Sequence, residues 1–153
     1  MIVADASVLV VALADDGPDG DQARARLRGE QLTIPELADL EIASVLRRQM
    51  KAGILNARRA RLALDDLAAL PARRAPHRPL LPRCWELRDN LTIYDAAYVA
   101  LAEAMNTTLL TGDQKLARAP GPTAPSKSSS LRPEYPGNPG SPRAVTIVSQ
   151  HPT

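Results

Sequence analysis

Short apolar segments alternate with segments of helical length along the first 118 residues, and this alternation limits the fold more than any other feature. The strand-like segments are brief, apolar or β-branched, and helical periodicity follows them. Parallel strands need long crossover connections, which are usually helices. The pattern therefore predicts an α/β domain in which helices cover a central, mainly parallel sheet.

The predicted elements follow the hydrophobic periodicity and the positions of capping residues. Strands are predicted at residues 1–4, 32–34, 73–75 and 107–111. Helices are predicted at residues 6–14, 19–28, 36–51, 57–70, 80–89 and 93–105, with a helical turn at 114–117. Pro35 is expected to stop the second strand. Asn56 and Thr92 are predicted N-caps, and Gly53 follows the long helix where a C-cap glycine belongs.

The core must be filled mainly by aliphatic residues, because the chain has no Phe and few other aromatic residues. These are Trp85, Tyr94, Tyr98 and Tyr135. Abundant Ala favours closely packed helices. Cys84 is the single cysteine, so an internal disulfide is impossible, and we expect a buried thiol and no zinc site.

The composition changes abruptly at residue 119, which divides the chain into two predicted regions. More than half of residues 119–143 are Pro, Gly or Ser. Such a segment has too little apolar surface to offset the entropy lost on ordering. We therefore predict a folded domain at 1–118 and a disordered tail at 119–153, although residues 144–149 alternate enough to add a strand to an open sheet edge.

Charge and hydropathy argue for a cytoplasmic protein with no membrane segment. The apolar run at residues 6–14 is too short to span a bilayer, and it lies between Asp5 and Asp15 with no basic residues before it. The net charge of +2 arises in the tail, whereas residues 1–118 are balanced. If several acids share one pocket, the remaining surface of the domain is basic and rich in Arg, which suits phosphate contact.

Four acidic residues occupy positions that converge in a parallel α/β sheet. Asp5 ends the first strand, Asp113 follows the last strand of the domain, and Asp95 lies in the first turn of an Ala-rich helix. Glu41 is expected to point inward from the long helix. The carboxyl ends of parallel strands open onto one crevice, where ligands bind. Because gathered carboxylates repel one another, a cation such as Mg²⁺ or Mn²⁺ is the expected partner.

Each acid also has a structural explanation when it is taken alone. Asp5 and Asp113 could be helix N-caps, and Asp95 could be the acid that is favourable in a first helical turn. Glu41 could pair with Arg48 on the same helix. The apolar surroundings of Glu41 and Asp95 favour a shared metal site over four separate roles.

Four sequence blocks, in order, resemble those of PIN domains and most closely those of VapC toxins. The blocks are Met1 to Val10, Pro35 to Arg48, Tyr94 to Ala102, and Leu110 to Leu116. The resemblance covers residues 1 to about 118 and implies a three-layer α/β/α fold. The sequence departs from the family at about Ala119, where the tail replaces a short final strand.

The resemblance implies a metal-dependent ribonuclease that acts as the toxin of a type II toxin–antitoxin pair. It implies that Asp5, Glu41, Asp95 and Asp113 bind the metal, with Ser7 and Thr111 as supporting hydroxyls. The implied partners are an RNA substrate, a VapB-type antitoxin that inhibits cleavage, and a second copy of the chain in a homodimer or toxin–antitoxin hetero-oligomer.

Further residues and two other functional classes stay open at this point. Arg47, Arg48 and Lys51 could contact phosphate or could simply be the solvated end of a helix. Trp85 and Tyr94 could stack on bases, but core packing is the favoured interpretation. A haloacid-dehalogenase-like phosphatase would need a second Asp where Ser7 stands. A non-catalytic RNA-binding or antitoxin-associated regulatory protein would show no Mg²⁺-dependent hydrolysis.

Overall fold

A computed structural model describes residues 1–117 and 146–147 of the chain. Its strands are β1 Ile2–Ala4, β2 Leu32–Pro35, β3 Ala72–Ala75, β4 Thr108–Thr111 and β5 Thr146–Ile147. Its helices are α1 Ala6–Ala14, α2 Pro18–Leu27, α3 Leu37–Lys51, α4 Ala57–Ala69, α5 Leu81–Glu86, α6 Ile93–Ala104 and α7 Gln114–Ala117. A 3-10 turn, Arg78–Leu80, precedes α5.

The strands form one parallel sheet in the order β3-β2-β1-β4-β5. Along the chain, the sheet grows from β1 through β2 to β3 and then continues on the opposite side of β1 with β4. The order therefore reverses between β1 and β4. In open parallel sheets such a reversal leaves a crevice at the carboxyl ends of the two strands, and ligands bind there.

Two hydrophobic clusters cover the opposite faces of the sheet. Along β1, Ile2 packs against the smaller cluster, which joins α1 and α2, whereas Val3 belongs to the larger one, as does Ala4 at the end of the strand. Along β4, Leu109 belongs to the larger cluster and Leu110 to the smaller. Because successive side chains of a strand point to opposite faces, this alternation confirms the predicted three-layer arrangement.

Most predicted elements are confirmed, and the differences have local causes. Helix α2 begins at Pro18, which suits a first helical position because its missing N–H has no helical partner. Pro35 is the last residue of β2 rather than a residue beyond it, and it is in register with Ala75. The helix predicted at 80–89 ends at Glu86, after which Leu87 enters the core.

The tail prediction falls mostly on residues 118–145 and 148–153, which lie outside the described residues. The strand expected within 144–149 is present as β5, which pairs with β4 at the edge of the sheet. In residues 1–117 and 146–147, no helix combines the length and the apolar character needed to cross a membrane.

Cys84 is buried as expected, but the core-packing interpretation of two aromatic residues is wrong. The side chains of Trp85 and Tyr94 are 64% and 65% exposed, respectively. Trp85 lies in the last turn of α5, and the guanidinium carbon of Arg88 stacks over its ring, 5.1 Å from the ring centroid. These two large rings therefore lie at the surface, and mainly aliphatic side chains fill the core.

Candidate metal-binding active site

Two hydroxyl groups hold the carboxylate of Asp5 where β1 ends. Ser7 Oγ donates a hydrogen bond to Asp5 Oδ2 at 2.6 Å, and Thr111 Oγ1 donates to the same oxygen at 2.8 Å. The Gly112 N–H in turn donates to Ser7 Oγ at 3.1 Å, and the Asp113 N–H donates to Thr111 Oγ1 at 3.0 Å. Since each hydroxyl has one proton and accepts from a backbone N–H, that proton is directed at Asp5.

Asp5 occupies the N-cap position of α1, but its side chain makes no capping hydrogen bond. The helix-cap explanation is therefore wrong for this residue. Asp5 is 5% exposed, and the Asp5 N–H is bonded to the Leu110 carbonyl at 2.9 Å. Its place between β1 and β4 is thus set by the sheet itself.

Glu41 is half-buried on α3, and a tyrosine from another helix holds its carboxylate. The hydroxyl of Tyr98, on α6, donates to Glu41 Oε2 at 2.7 Å. The ion pairs among the described residues include neither Glu41 nor Arg48, so the alternative of a Glu41–Arg48 salt bridge is wrong. Glu41 instead faces the helix that carries Asp95.

Asp95 lies in the first turn of α6 and exchanges hydrogen bonds with the N-cap residue Thr92. The Asp95 N–H donates to Thr92 Oγ1 at 3.1 Å, which confirms the predicted cap. The same hydroxyl donates to Asp95 Oδ2 at 2.7 Å. One side chain therefore both begins the helix and orients the carboxylate of Asp95.

Asp113 follows β4 in the loop beside Asp5 and is partly buried. Its backbone N–H belongs to the hydroxyl network described above, because it donates to Thr111 Oγ1. The loop that carries Asp113 and the carboxylate of Asp5 are consequently coupled through one threonine side chain.

Asp5, Glu41 and Asp95, which we call the carboxylate cluster, lie close enough for their charges to interact. Burial is the main cause that raises the pKa of Asp5 above its ordinary value of 3.8, and the charge of Asp95 raises it further against the opposing hydroxyl hydrogen bonds. Burial also raises the pKa of Glu41, as do the charges of Asp5 and Asp95, whereas the Tyr98 hydrogen bond lowers it. The shifts of Asp5 and Glu41 indicate that both carboxylates and Asp95 border one crevice.

The carboxylate cluster has the donor chemistry of a site for a hard divalent cation. Carboxylate oxygens are the ligands that Mg²⁺ and Mn²⁺ prefer, and a cation would remove the repulsion among the three acids. As the side chains of residues 1–117 and 146–147 stand, no group of three or more His, Cys, Asp or Glu residues could hold a metal ion. The acids interact through charge, but they do not form a closed ligand set.

The basic residues singled out from the sequence lie at the opposite end of α3 from its first turn. Arg47, Arg48 and Lys51 are all exposed. Arg48 lies two helical turns beyond Glu41, so it shares a side of α3 with this acid. The fold therefore leaves all three basic residues accessible to solvent.

Comparison with known proteins decides the family. The model of the PIN domain family matches residues 2–122. The chain belongs to the PIN-domain family. Among curated relatives, it is 47% identical to ribonuclease VapC9 of Mycobacterium tuberculosis over 116 residues, which cover 76% of this chain and 88% of the relative. It is 44% identical to ribonuclease VapC1 of the same organism over 120 residues, 78% and 90% of the two chains.

These relatives confirm the predicted class: this PIN domain is a VapC-type ribonuclease, and therefore a hydrolase. Solved structures agree on the fold. M. tuberculosis VapC20, described as a sarcin–ricin loop cleaving toxin, superposes with a TM-score of 0.63 at 15% identity, covering 87% of this chain and 100% of that one. Pyrobaculum aerophilum PAE2754 superposes with a TM-score of 0.61 at 23% identity, covering 76% of each chain.

Sequence reasoning missed Tyr98 as a residue of the site. It belongs to one of the four blocks, but the sequence marks it only as one of the few aromatic residues. Its spacing of three residues from Asp95 on one helix was the available signal, because residues three apart share a helix face. Its partner, Glu41, is 57 positions away in the sequence, and no local pattern connects the two.

Proposed function

We propose that this PIN-domain ribonuclease hydrolyses RNA phosphodiester bonds with Mg²⁺ or Mn²⁺ bound by Asp5, Glu41, Asp95 and Asp113. The observation that carries the proposal is the placement of Asp5 at the sheet reversal between β1 and β4, where two hydroxyls fix its carboxylate and the charges of Glu41 and Asp95 lie nearby. Three acids kept close together in a protein are stabilised when a cation binds them. Asp113 would bind a second ion or hold the water molecules of the first.

The bound cation would lower the pKa of a water molecule and stabilise the developing negative charge on phosphate. The chain's own residues prepare the site for this chemistry. Ser7 and Thr111 orient Asp5, and Thr92 orients Asp95, each through a hydrogen bond of 2.8 Å or less. Arg47, Arg48 and Lys51 would bind phosphates of the RNA away from the cleaved bond.

Biologically, the protein would act as the toxin of a type II toxin–antitoxin pair and be inhibited by a VapB-type antitoxin. Supporting this role are the VapC relatives and the fold shared with a VapBC2 complex of Rickettsia felis, which superposes with a TM-score of 0.58 at 16% identity. We further propose a homodimer that joins a toxin–antitoxin hetero-oligomer in the cytoplasm.

Purified full-length protein and RNA test the catalytic proposal directly. We expect cleavage with Mg²⁺ or Mn²⁺, loss of cleavage with a chelator, and recovery when the cation is restored. Asp113→Asn should reduce cleavage, while Asp89→Asn, a matched change at an exposed loop position, should not. Cleavage that continues at full rate in excess chelator would refute the proposed metal site.

Growth of a bacterial host tests the toxin role separately. Induced expression should arrest growth, and co-expression of the small open reading frame adjacent to the gene should relieve the arrest. The Asp5→Asn variant is the control, because it should accumulate without harm. Normal growth with abundant soluble, active ribonuclease would contradict the toxin role and leave the nuclease assignment intact.

A further inference from the structure

We propose that Tyr98 is a positioning residue of the cation site, because its hydroxyl fixes the Glu41 carboxylate where that group binds the divalent cation. This inference rests on the proposed function, in which Glu41 is a ligand. It assigns a role to a buried residue that is not itself a proposed metal ligand.

The position of Tyr98 links the two helices that carry half of the proposed ligand set. It lies on α6 three residues after Asp95, hence nearly one helical turn along the same helix. Its hydroxyl reaches across to Glu41 on α3 at 2.7 Å. A single side chain therefore sets the spacing between the acid of its own helix and the acid of the neighbouring one.

Packing alone does not explain a tyrosine at this position. The Tyr98 side chain is 0% exposed and is the largest fully buried one in the described part of the chain. A buried hydroxyl must find a hydrogen-bond partner or lose its solvation without compensation. Leu or Met would fill an aliphatic core without this requirement, so the hydroxyl adds a bond whose acceptor is the Glu41 carboxylate.

The Tyr98 hydroxyl is the hydrogen-bond donor that the described residues provide for the Glu41 carboxylate, and the charges of Asp5 and Asp95 lie close enough to repel that carboxylate. The buried residues of α3 are Ala38, Ile42 and Leu46, so Glu41 borders the packed face of this helix without belonging to it. Its side chain is long and only half-buried. Without the Tyr98 hydroxyl, repulsion would turn the carboxylate away from the crevice and toward water.

Direct Mn²⁺ binding to the full chain, without RNA, tests the inference. Electron paramagnetic resonance of free Mn²⁺ gives the affinity of wild type, Tyr98→Phe, Glu41→Gln and the double variant. We expect Tyr98→Phe to weaken Mn²⁺ binding about 10- to 100-fold, the range for residues that orient metal ligands. Tyr94→Phe is the matched control, since it removes an exposed hydroxyl from the same helix, and its Mn²⁺ affinity should equal that of wild type.

The double variant separates positioning from packing. If Tyr98 acts through Glu41, Tyr98→Phe should cause no further loss of affinity in the Glu41→Gln background. An equal loss in both backgrounds, or wild-type affinity in Tyr98→Phe, overturns the inference. In a cleavage assay, saturating Mn²⁺ should restore Tyr98→Phe toward the wild-type rate, and a defect that persists at saturation also counts against positioning.

Two further results keep the test decisive. If wild type binds no Mn²⁺, the proposed metal site itself is wrong, whereas normal binding by both wild type and Tyr98→Phe defeats only the present inference. If Tyr98→Phe does not fold, Glu41→Asp tests the same bond, because it keeps the charge but withdraws it from the hydroxyl. Wild-type Mn²⁺ affinity in Glu41→Asp would then overturn the role of that bond.

Discussion

At the scale of single residues, the proposed chemistry depends on carboxylates that the fold partly buries near one another. A buried acid with a raised pKa costs folding free energy when it is ionised. For Asp5 and Glu41 this cost is opposed by hydroxyl hydrogen bonds to the charged form. The site is thus held in a state that a bound cation would stabilise.

Asp5→Asn tests this balance at one residue. The change keeps the size of the side chain and removes a charge, so it should reduce cleavage roughly 100-fold or more. The protein without divalent cation should become more stable, because one member of a repelling set is gone, and the stabilisation by Mg²⁺ should shrink. Thermal melts with and without Mg²⁺ measure both effects. A variant that cleaves RNA at the wild-type rate would show that Asp5 binds no metal.

The pH dependence of the same variant follows from the raised pKa of Asp5. A folded-state pKa above the ordinary 3.8 means that the folded protein holds this proton more tightly than the unfolded chain. The cost of ionising Asp5 is therefore absent below about pH 3.8 and grows as pH rises through the folded-state pKa. In chelator, the melting-temperature advantage of Asp5→Asn over wild type should increase with pH. An advantage that decreases with pH would reverse the assigned sign.

The acids could be predicted from the sequence because their positions relative to strand and helix ends are local information. Asp5 stands directly after an apolar run, and Asp95 stands three residues after a capping Thr92. Tyr98 could not be assigned in this way, since a tyrosine within an Ala-rich helix looks like core. The solvent exposure of Tyr94 could not be predicted from the sequence either, because it depends on how α5 packs against α6.

At the scale of elements, α6 combines packing with site formation. Seven consecutive residues, Ala96 to Ala102, are buried, so this helix is fixed against the sheet over most of its length. Its first turn nevertheless carries the partly exposed Asp95, and its second carries Tyr98. The position of these groups depends on where the helix begins, and Thr92 determines that point.

Thr92→Ala should therefore affect stability and cleavage together. Loss of the N-cap should lower the free energy of unfolding by about 1 kcal/mol. Loss of the hydrogen bond to Asp95 Oδ2 should also reduce cleavage about tenfold, as expected for a residue that orients a ligand. Thr92→Ser keeps the hydroxyl and should retain both properties. Reduced stability with unchanged cleavage in Thr92→Ala would mean that this hydroxyl is only a cap.

The elements were predictable where caps and periodicity agree, as at Asn56 and Thr92, whose side chains accept the expected backbone hydrogen bonds. The elements were less predictable where tertiary packing determines the end of a helix. The sequence of α5 is compatible with a longer helix, but burial of Leu87 and Leu91 bends the chain into the core after Glu86. Local propensity does not contain that information.

For the whole molecule, the strand order creates the site. The alternation of elements predicts a parallel sheet, but it does not specify that β4 joins β1 on the side opposite to β2. That order brings Thr111 and Asp113 beside Asp5, more than a hundred residues away. Strand order depends on long-range packing, so the sequence alone leads to the expectation of a shared site for the four acids but does not give its geometry.

The sheet also includes one strand from beyond the predicted domain, because β5 pairs with the outer edge of β4. A chain shortened to end at Ala119 lacks β5 but keeps every proposed metal ligand, the hydroxyl network and Tyr98. We expect it to cleave RNA at the wild-type rate with Mg²⁺. Its free energy of unfolding should fall by about 1–3 kcal/mol, the contribution of a few backbone hydrogen bonds, and the exposed edge of β4 should promote self-association.

A chain ending at Ser149 keeps β5 and is the control. Its melting temperature and size-exclusion profile should match those of the full chain. A folded, monodisperse protein ending at Ala119 that no longer cleaves RNA would instead mean that residues after 119 take part in catalysis.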